Sequence, residues 1–407
     1  MIKVKTDQKI IDRILNKAVE QVLPSKEALK KELTSGRRLN IYQGFDPTAP
    51  TLHIGHTVMM RKLEDFRRLG HNVTFLVGDF TARIGDPSDK SSTRQKLTKE
   101  EVEENMKLYV DQASKIIDIN NKKNPVNIKY NSEWLEKLNF GDILELTYEF
   151  TVQQMLKRDM FRKRLKEGKP IHISEFMYPV MQGYDAVMME TDVELGGNDQ
   201  LFNMLAGRDM IKNHLKKEKF VIAGKLLTTN DGSKMGKTTG NMVTMDDTPN
   251  DIYGKIMASE DNLIIPSFEI LTSMELEDVK KVEIRLNSGE NPMILKKELA
   301  LLVTSEITSP KEAKKAQEYF EGVFQKKEMS EDIPEVHITE NSIKLNELIF
   351  SVKLADSKSK ARRLVEQGAV KINGEIQNQW DSTIDMQSLT PITLKVGRRL
   401  IKIYHQT

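Results

Sequence analysis

The apolar positions follow a helical rhythm at the N-terminus, where Ile10, Ile11, Ile14, Leu15, Ala18, Val19 and Val22 recur among charges, predicting an amphipathic helix within residues 1–23. Strand-like and helix-like segments then alternate. Leu39–Phe45 reads as a strand. Met59, Leu63, Phe66 and Leu69 follow at helical spacing and stop at Gly70, a suitable C′ residue. Val73–Val77 reads as a second strand, Glu101–Ile117 as helical and Val126–Tyr130 as a third strand. Strands separated by helices in this way predict a parallel α/β sheet with its ligand site at the strands' carboxyl ends. From Pro249 to Phe324 the pattern becomes helical throughout, as in Leu295, Leu299, Leu302, Val303 and Ile307. Lys326–Thr339, acidic and containing Pro334, breaks the period and reads as a linker.

Composition narrows the classes. The 407 residues include no cysteine, which excludes disulfide scaffolds, thiol catalysis and cysteine–zinc sites and fits a reducing compartment. No apolar run reaches the roughly 18 residues of a spanning helix, and the charged N-terminus is unlike a signal peptide, so a cytoplasmic protein without membrane contact is expected. Net charge is +2 and silent overall. It is unevenly spread: Ser342–Thr407 carries 11 Lys and Arg against 6 Asp and Glu, a net +5, leaving −3 on the remainder. A basic C-terminal module on a slightly acidic body suggests a polyanion contact.

Two motifs carry candidate phosphate chemistry. In Gly44-Phe45-Asp46-Pro47-Thr48-Ala49-Pro50-Thr51-Leu52-His53-Ile54-Gly55-His56, a strand runs through a Pro/Gly turn into a helix. Two histidines three apart then meet the helix end whose N–H groups and dipole favour phosphate, where imidazoles can donate to oxygens gaining charge. Gly55, with no side chain, lets a flat base or ribose approach. The second motif, Asp231-Gly232-Ser233-Lys234-Met235-Gly236-Lys237-Thr238, sets two lysines in a glycine-rich loop without P-loop spacing. Further along, Tyr178, Gln182 and Asp185 fall at i, i+4 and i+7. They would share a helix face offering a phenol, an amide and a carboxylate, with Pro179 early in that helix. Each feature alone also fits an ordinary turn or amphipathic helix.

Together, His-Ile-Gly-His and Lys-Met-Gly-Lys-Thr resemble the HIGH and KMSKS signatures of class I aminoacyl-tRNA synthetases; the second departs from its consensus at Gly236 and Thr238 but keeps both lysines. With Tyr42-Gln43-Gly44-Phe45-Asp46, Ile84-Gly85-Asp86-Pro87-Ser88, the Tyr178–Asp185 stretch and Val193-Glu194-Leu195-Gly196-Gly197-Asn198-Asp199-Gln200, the set resembles tyrosyl-tRNA synthetases, in wording closest to their second bacterial subtype. The resemblance spans nearly the whole chain. The C-terminal stretch from Lys344 through Ser357–Gly374 is similar to a small RNA-binding fold of a ribosomal protein, with Ser357 as a helix cap and a basic face of Lys358, Lys360, Arg362 and Arg363.

The resemblance implies an α/β fold: a Rossmann-type parallel-sheet catalytic domain (1–247), an α-helical anticodon-recognition domain (248–325), a linker (326–340) and the small basic α/β RNA-binding module (341–407). It implies activation of L-tyrosine by ATP, carried with Mg²⁺ as a substrate complex and with no protein-bound metal, then transfer to tRNA(Tyr) by a homodimer. Tyr42 and Asp185 would hold the phenolic hydroxyl, Tyr178, Gln182 and Asp86 the ammonium, and Gln200 the carboxylate end. Asp199 would meet the ribose. Thr48, His53, His56, Lys234 and Lys237 would serve the phosphates, Lys90 and Arg94 as mobile contacts, and Gly44, Asp46, Gly55 and Met235 would complete the ATP site. Three rivals stay open at this point: a tryptophan-specific synthetase, a nucleotidylyltransferase and a non-catalytic RNA-binding paralogue.

Overall fold

The structure, a computed structural model, describes residues 2–88, 97–228, 242–325, 334–355, 357–386, 391–397 and 399–405. They form two compact units that divide after Glu318.

The first unit is built on six strands: β1 (Val19–Leu23), β2 (Asn40–Phe45), β3 (Asn72–Val77), β4 (Asn127–Tyr130), β5 (Val193–Gly197) and β6 (Phe220–Gly224). Their order across the sheet is β1-β6-β5-β2-β3-β4. The five strands β2–β6 are mutually parallel, and β1 pairs antiparallel with β6 at the edge. Counted from β2, the parallel strands have the doubly wound Rossmann order, which reverses direction between β2 and β5. β3 is apolar almost throughout, as a strand covered on both faces must be.

The N-terminal expectation needs correction. Helix α1 covers only Gln8–Asn16, and Val19 and Val22 lie on β1 instead. Ala18 takes a positive φ of 51°, which ends the helix, and the β-branched stretch finds a better partner in the edge of β6 than in more helix.

Helix α2 (Ile54–Leu69) follows β2. It buries Met59, Leu63, Phe66 and Leu69, each worth roughly 1.5–3 kcal/mol of apolar burial, and Gly70 closes it at φ 94°. The 101–117 stretch is two short helices, Lys99–Met106 and Tyr109–Ser114. Helix α3 (Ile173–Met188) packs extensively on α4 (Leu201–Leu215). Pro179 lies in the interior of α3, not near its start, because the helix begins a turn and a half upstream at Ile173. Strand β6 carried no sequence expectation.

Between Thr248 and Phe320, among the described residues, come five α-helices: Pro249–Met257, Ile264–Leu271, Leu276–Asn287, Pro292–Ile307 and Pro310–Phe320. Ile264–Leu271 packs on α2, and Arg61 of α2 is ion-paired with Glu306 at 2.8 Å.

The second unit holds a five-stranded sheet, a two-stranded sheet and two helices around a core that includes Leu345, Leu348, Val365, Val370 and Leu394. Part of the expected linker is structured: Glu335–Ile338 forms a strand parallel to Arg399–His405. Helix α5 (Lys358–Glu366) starts at Ser357, whose Oγ accepts from Lys360 N at 3.1 Å. Asn373 and Gly374, both at positive φ, turn Val370–Ile372 into Glu375–Ile376 as a tight hairpin.

Candidate active site

The first unit's candidate residues gather at the carboxyl ends of β2, β3, β4 and β5, where a doubly wound sheet leaves its crevice. Tyr42, Gly44 and Asp46 come from β2 and the loop after it, Asp86 from the loop after β3, and Asp199 and Gln200 from the turn after β5. Tyr178, Gln182 and Asp185 project from α3, and Tyr42, Tyr178 and Met181 share one buried cluster with Trp134.

The deep end of the crevice is polar and buried. The Tyr42 hydroxyl is buried with no hydrogen-bond partner, and burial together with the neighbouring carboxylates of Glu194 and Asp185 pushes its pKa well above the ordinary tyrosine range. Asp185 is 2% exposed. It accepts from Trp134 Nε1 at 2.7 Å and Asn131 Nδ2 at 3.1 Å. Burial outweighs those two donors and lifts its carboxyl to about 8. Fixed donors hold an acceptor beside an unpartnered phenol, an arrangement that a third hydroxyl would complete.

Around this end a set of acceptors faces inward. Tyr178 donates to Asp46 Oδ2 at 2.7 Å, and Asp46 Oδ1 accepts from Thr81 at 2.7 Å. Because the Tyr178 proton is committed to Asp46, the phenol oxygen is left as an acceptor. Asp86 accepts from Gln200 Nε2 at 2.6 Å, Asn203 at 3.3 Å and the Ser88 hydroxyl at 2.7 Å, with Arg158 3.7 Å away. Gln200 thus reaches Asp86, and its own Oε1 accepts from Asn203 at 3.0 Å. Gln182 donates to Glu194 at 2.9 Å.

The nucleotide side begins at α2. His53 is the N-cap residue and His56 the third residue of the helix; their rings stack with centroids 3.8 Å apart, and His53 N donates to His56 Nδ1 at 3.1 Å. Gly55 is exposed, and a Cβ there would meet the His53 ring at 2.9 Å, so an added methyl would displace that ring. Exposed Thr48 sits in a loop braced from behind: Tyr109 donates to Ala49 O at 2.8 Å and Asn105 to Pro47 O at 3.0 Å. Val243–Met245 runs back alongside this point, with Ile54 N donating to Val243 O at 3.0 Å and Met245 N to Leu52 O at 2.8 Å. Lys90, Arg94, Lys234, Met235 and Lys237 lie outside the described residues.

Sequence reasoning missed Asn131, Trp134, Thr81, Arg158, Glu194, Lys219 and Asn203. Of these only Glu194 lies in a quoted motif, where it had no role assigned. The one local signal was position: Asn131 and Trp134 directly follow the β4 strand end, where such folds place ligand-facing groups. Among the described residues no group of acidic and histidine side chains is arranged to hold a metal ion.

In the second unit, Lys358, Lys360, Arg362 and Arg363 are exposed along α5. Lys358 donates to Glu347 at 2.6 Å and Arg362 to Glu366 at 2.7 Å, while the Arg362 guanidinium lies 4.7 Å from the Trp380 ring centroid.

Comparison with known proteins sets the class first: residues 34–325 match the tRNA synthetases of class I (W and Y). Residues 325–404 match the tyrosine–tRNA ligase SYY-like C-terminal domain. A tyrosine–tRNA ligase of Carboxydothermus hydrogenoformans is 41% identical over 403 residues, covering 96% of both chains. One from Thermotoga maritima is 41% identical over 95% of both chains, and a tyrosine–tRNA ligase 2 of Pseudoalteromonas translucida is 40% identical over 95% of this chain and 96% of that one. The chain belongs to the tyrosine–tRNA ligase family. The fold agrees with solved structures. A C-terminally truncated mitochondrial tyrosyl-tRNA synthetase of Aspergillus nidulans superposes with a TM-score of 0.65 at 22% identity, covering 78% of this chain and 94% of that one. The Archaeoglobus fulgidus tyrosyl-tRNA synthetase, crystallised with L-tyrosine, gives 0.60 at 19%, covering 77% and 100%.

Proposed function

We propose that this chain, a class I tyrosine–tRNA ligase by family, activates L-tyrosine with Mg-ATP and esterifies it to tRNA(Tyr) through the residues gathered above. The observation that carries the choice of amino acid is the buried, unpartnered Tyr42 hydroxyl beside Asp185, itself held by Trp134 and Asn131. A phenolic substrate satisfies both groups. Phenylalanine or tryptophan would leave the Tyr42 hydroxyl desolvated and unpaired, which costs roughly 1–3 kcal/mol.

In the first step a tyrosine carboxylate oxygen attacks the α-phosphorus, the bond to the β-phosphate bridge breaks, and pyrophosphate leaves. In the second, a ribose hydroxyl of the terminal adenosine attacks the acyl carbon and AMP leaves. No side chain forms a covalent bond. Tyr178, Gln182 and Asp86 hold the ammonium, and Gln200 helps orient the carboxylate end. Asp199 meets the ribose, and Gly44, Asp46 and Gly55 border the nucleotide. Thr48, His53 and His56 donate to the phosphates, and Lys234, Met235, Lys237, Lys90 and Arg94 approach from the loops. Mg²⁺ arrives with ATP as part of the substrate.

Residues 248–325 would read the anticodon arm and the basic 341–407 module would grip tRNA phosphates, with 326–340 between them. A homodimer is the reading that the family resemblance suggests, and the large apolar side chains Phe140, Tyr148, Val152 and Ile173 are exposed on the first unit. Among the described residues no helix is long and apolar enough to cross a membrane. A cytoplasmic location is the reading that fits the absence of cysteine.

The test is an amino-acid panel in ATP–pyrophosphate exchange. Exchange with tyrosine at least about 1,000-fold above phenylalanine and tryptophan is expected, on the scale that site-built hydroxyl recognition reaches. Comparable exchange with either of the others refutes the pocket assignment.

A further inference from the structure

The orientation of Gln182 is imposed from behind. Its Nε2 donates to Glu194 Oε1 at 2.9 Å, and the other Glu194 oxygen accepts from Lys219 Nζ. Lys219 also donates to the Met204 carbonyl at 3.0 Å. The lysine side chain is 0% exposed and the glutamate 2%. Strand β5 supplies Glu194, the residue before β6 supplies Lys219, and Gly207 on α4 leaves room between them, since any side chain there would run into the ammonium.

An amide can turn over, offering either its oxygen or its NH₂; a carboxylate can only accept and an ammonium only donate. The buried pair therefore breaks the symmetry. Glu194 takes the NH₂ of Gln182, which leaves Gln182 Oε1, bonded to nothing among the described residues, as the group Gln182 can offer a ligand. An acceptor there attracts an ammonium; an NH₂ would repel it.

We propose that Glu194 and Lys219 are positioning residues for the α-ammonium of the amino acid, acting through Gln182. This rests on the reading that Gln182 meets that ammonium. Glutamine at 194 would not substitute. Beside Lys219 it would give its oxygen to the lysine, turn its own NH₂ toward Gln182, and so force the Gln182 NH₂ into the pocket. Removing Lys219 as well frees the new amide to offer its oxygen to Gln182 again. A buried ion pair replaced by neutral groups of similar size often leaves stability unchanged.

The experiment compares wild type, Glu194→Gln and the double variant Glu194→Gln/Lys219→Met. It measures KM for L-tyrosine and for ATP, and the inhibition constant of 3-(4-hydroxyphenyl)propanoate, which has the ring and carboxylate but no ammonium. In Glu194→Gln the tyrosine KM should rise roughly 10- to 100-fold, the range of one hydrogen bond to a charged group, with ATP KM unchanged and a much smaller change in the inhibitor constant, since Glu194 also neighbours Tyr42. The double variant should recover most of that loss. Equal losses for tyrosine and the desamino inhibitor, no loss in Glu194→Gln, or no recovery in the double variant would each overturn the proposal. A wild-type protein inactive in exchange with tyrosine would instead defeat the ligase reading, before any variant is made.

Discussion

Tyr178 on α3 donates its hydroxyl proton to Asp46, 2.7 Å away in the loop that leaves β2, so one bond ties the amino-acid side of the crevice to the nucleotide side. Asp46 is held at its other oxygen by Thr81, and Tyr178 is buried. Tyr178→Phe keeps the ring's volume and removes the bond. It also deletes the phenol oxygen proposed to accept the substrate ammonium. Tyrosine KM should rise about 10-fold, the scale of one lost hydrogen bond to a charged partner. An unchanged tyrosine KM in pyrophosphate exchange would show that the ammonium sits elsewhere.

Asp185 gives a pH-dependent stability with a definite sign. An aspartate in the unfolded chain titrates near 3.8, whereas burial raises the folded carboxyl to about 8. Between those values the folded protein holds a proton that the unfolded chain has released, so this group's contribution falls as pH rises from about 4 through 8. Buried Lys62 and Lys17, lowered to about 7 and about 8, act in the opposite direction at higher pH, and do so in any Asp185 variant too. The stability of wild type minus that of Asp185→Asn should therefore fall steadily from pH 5 to pH 8, read from urea midpoints without tyrosine. A difference independent of pH would place the Asp185 carboxyl near its ordinary value.

The parts of this architecture that rest on local pattern were readable from sequence, and those that rest on distant partners were not. Strands β2 and β3 and the end of α2 at Gly70 follow from apolar runs and a glycine able to take φ 94°. The first strand was misread because its helical spacing continues that of α1, and only pairing with β6 over two hundred residues away selects the extended form. The same holds at the site. Tyr42, Tyr178, Gln182 and Asp185 belong to motifs, but, Glu194 apart, the residues that orient them do not. Trp134 and Asn131 come from another strand end, and Lys219 precedes β6; each acts by its hydrogen bond to a buried carboxylate, which no spacing along the chain encodes.

Two glycines at neighbouring strand ends should behave differently. A Cβ on Gly78, just after β3, would overlap the Asp46 carboxylate and the Thr81 hydroxyl. Gly78→Ala must therefore push Asp46 off Thr81 and Tyr178, costing roughly 1–3 kcal/mol of stability along with adenylate formation. At Gly44 the nearest atoms to an added Cβ are Leu76 Cδ2 and Tyr42 Cε2, both at 3.9 Å, so Gly44→Ala fits the empty protein. Its expected effect is a several-fold higher ATP KM at an unchanged melting temperature, because the methyl group stands where the nucleotide approaches. Equal melting temperatures for both variants would contradict the packing at Gly78, and an unchanged ATP KM in Gly44→Ala would remove Gly44 from the nucleotide site.

The basic helix of the C-terminal unit makes a prediction that does not involve the catalytic crevice. Lys358 is ion-paired with Glu347 at 2.6 Å, whereas Arg363 projects from the exposed side of α5. Each phosphate contact contributes roughly 0.7–0.9 to the slope of log affinity against log salt. Arg363→Ala should lower that slope for tRNA(Tyr) by about one such step and leave tyrosine-dependent pyrophosphate exchange unchanged. Glu347→Gln should act in the other direction, because releasing Lys358 from its carboxylate partner makes its charge available to phosphate, so binding tightens and the slope steepens. Fluorescence-anisotropy titrations between about 50 and 200 mM salt separate the outcomes. If neither substitution moves the slope, this helix does not face the RNA backbone, and the positive charge of the module must be used on another surface.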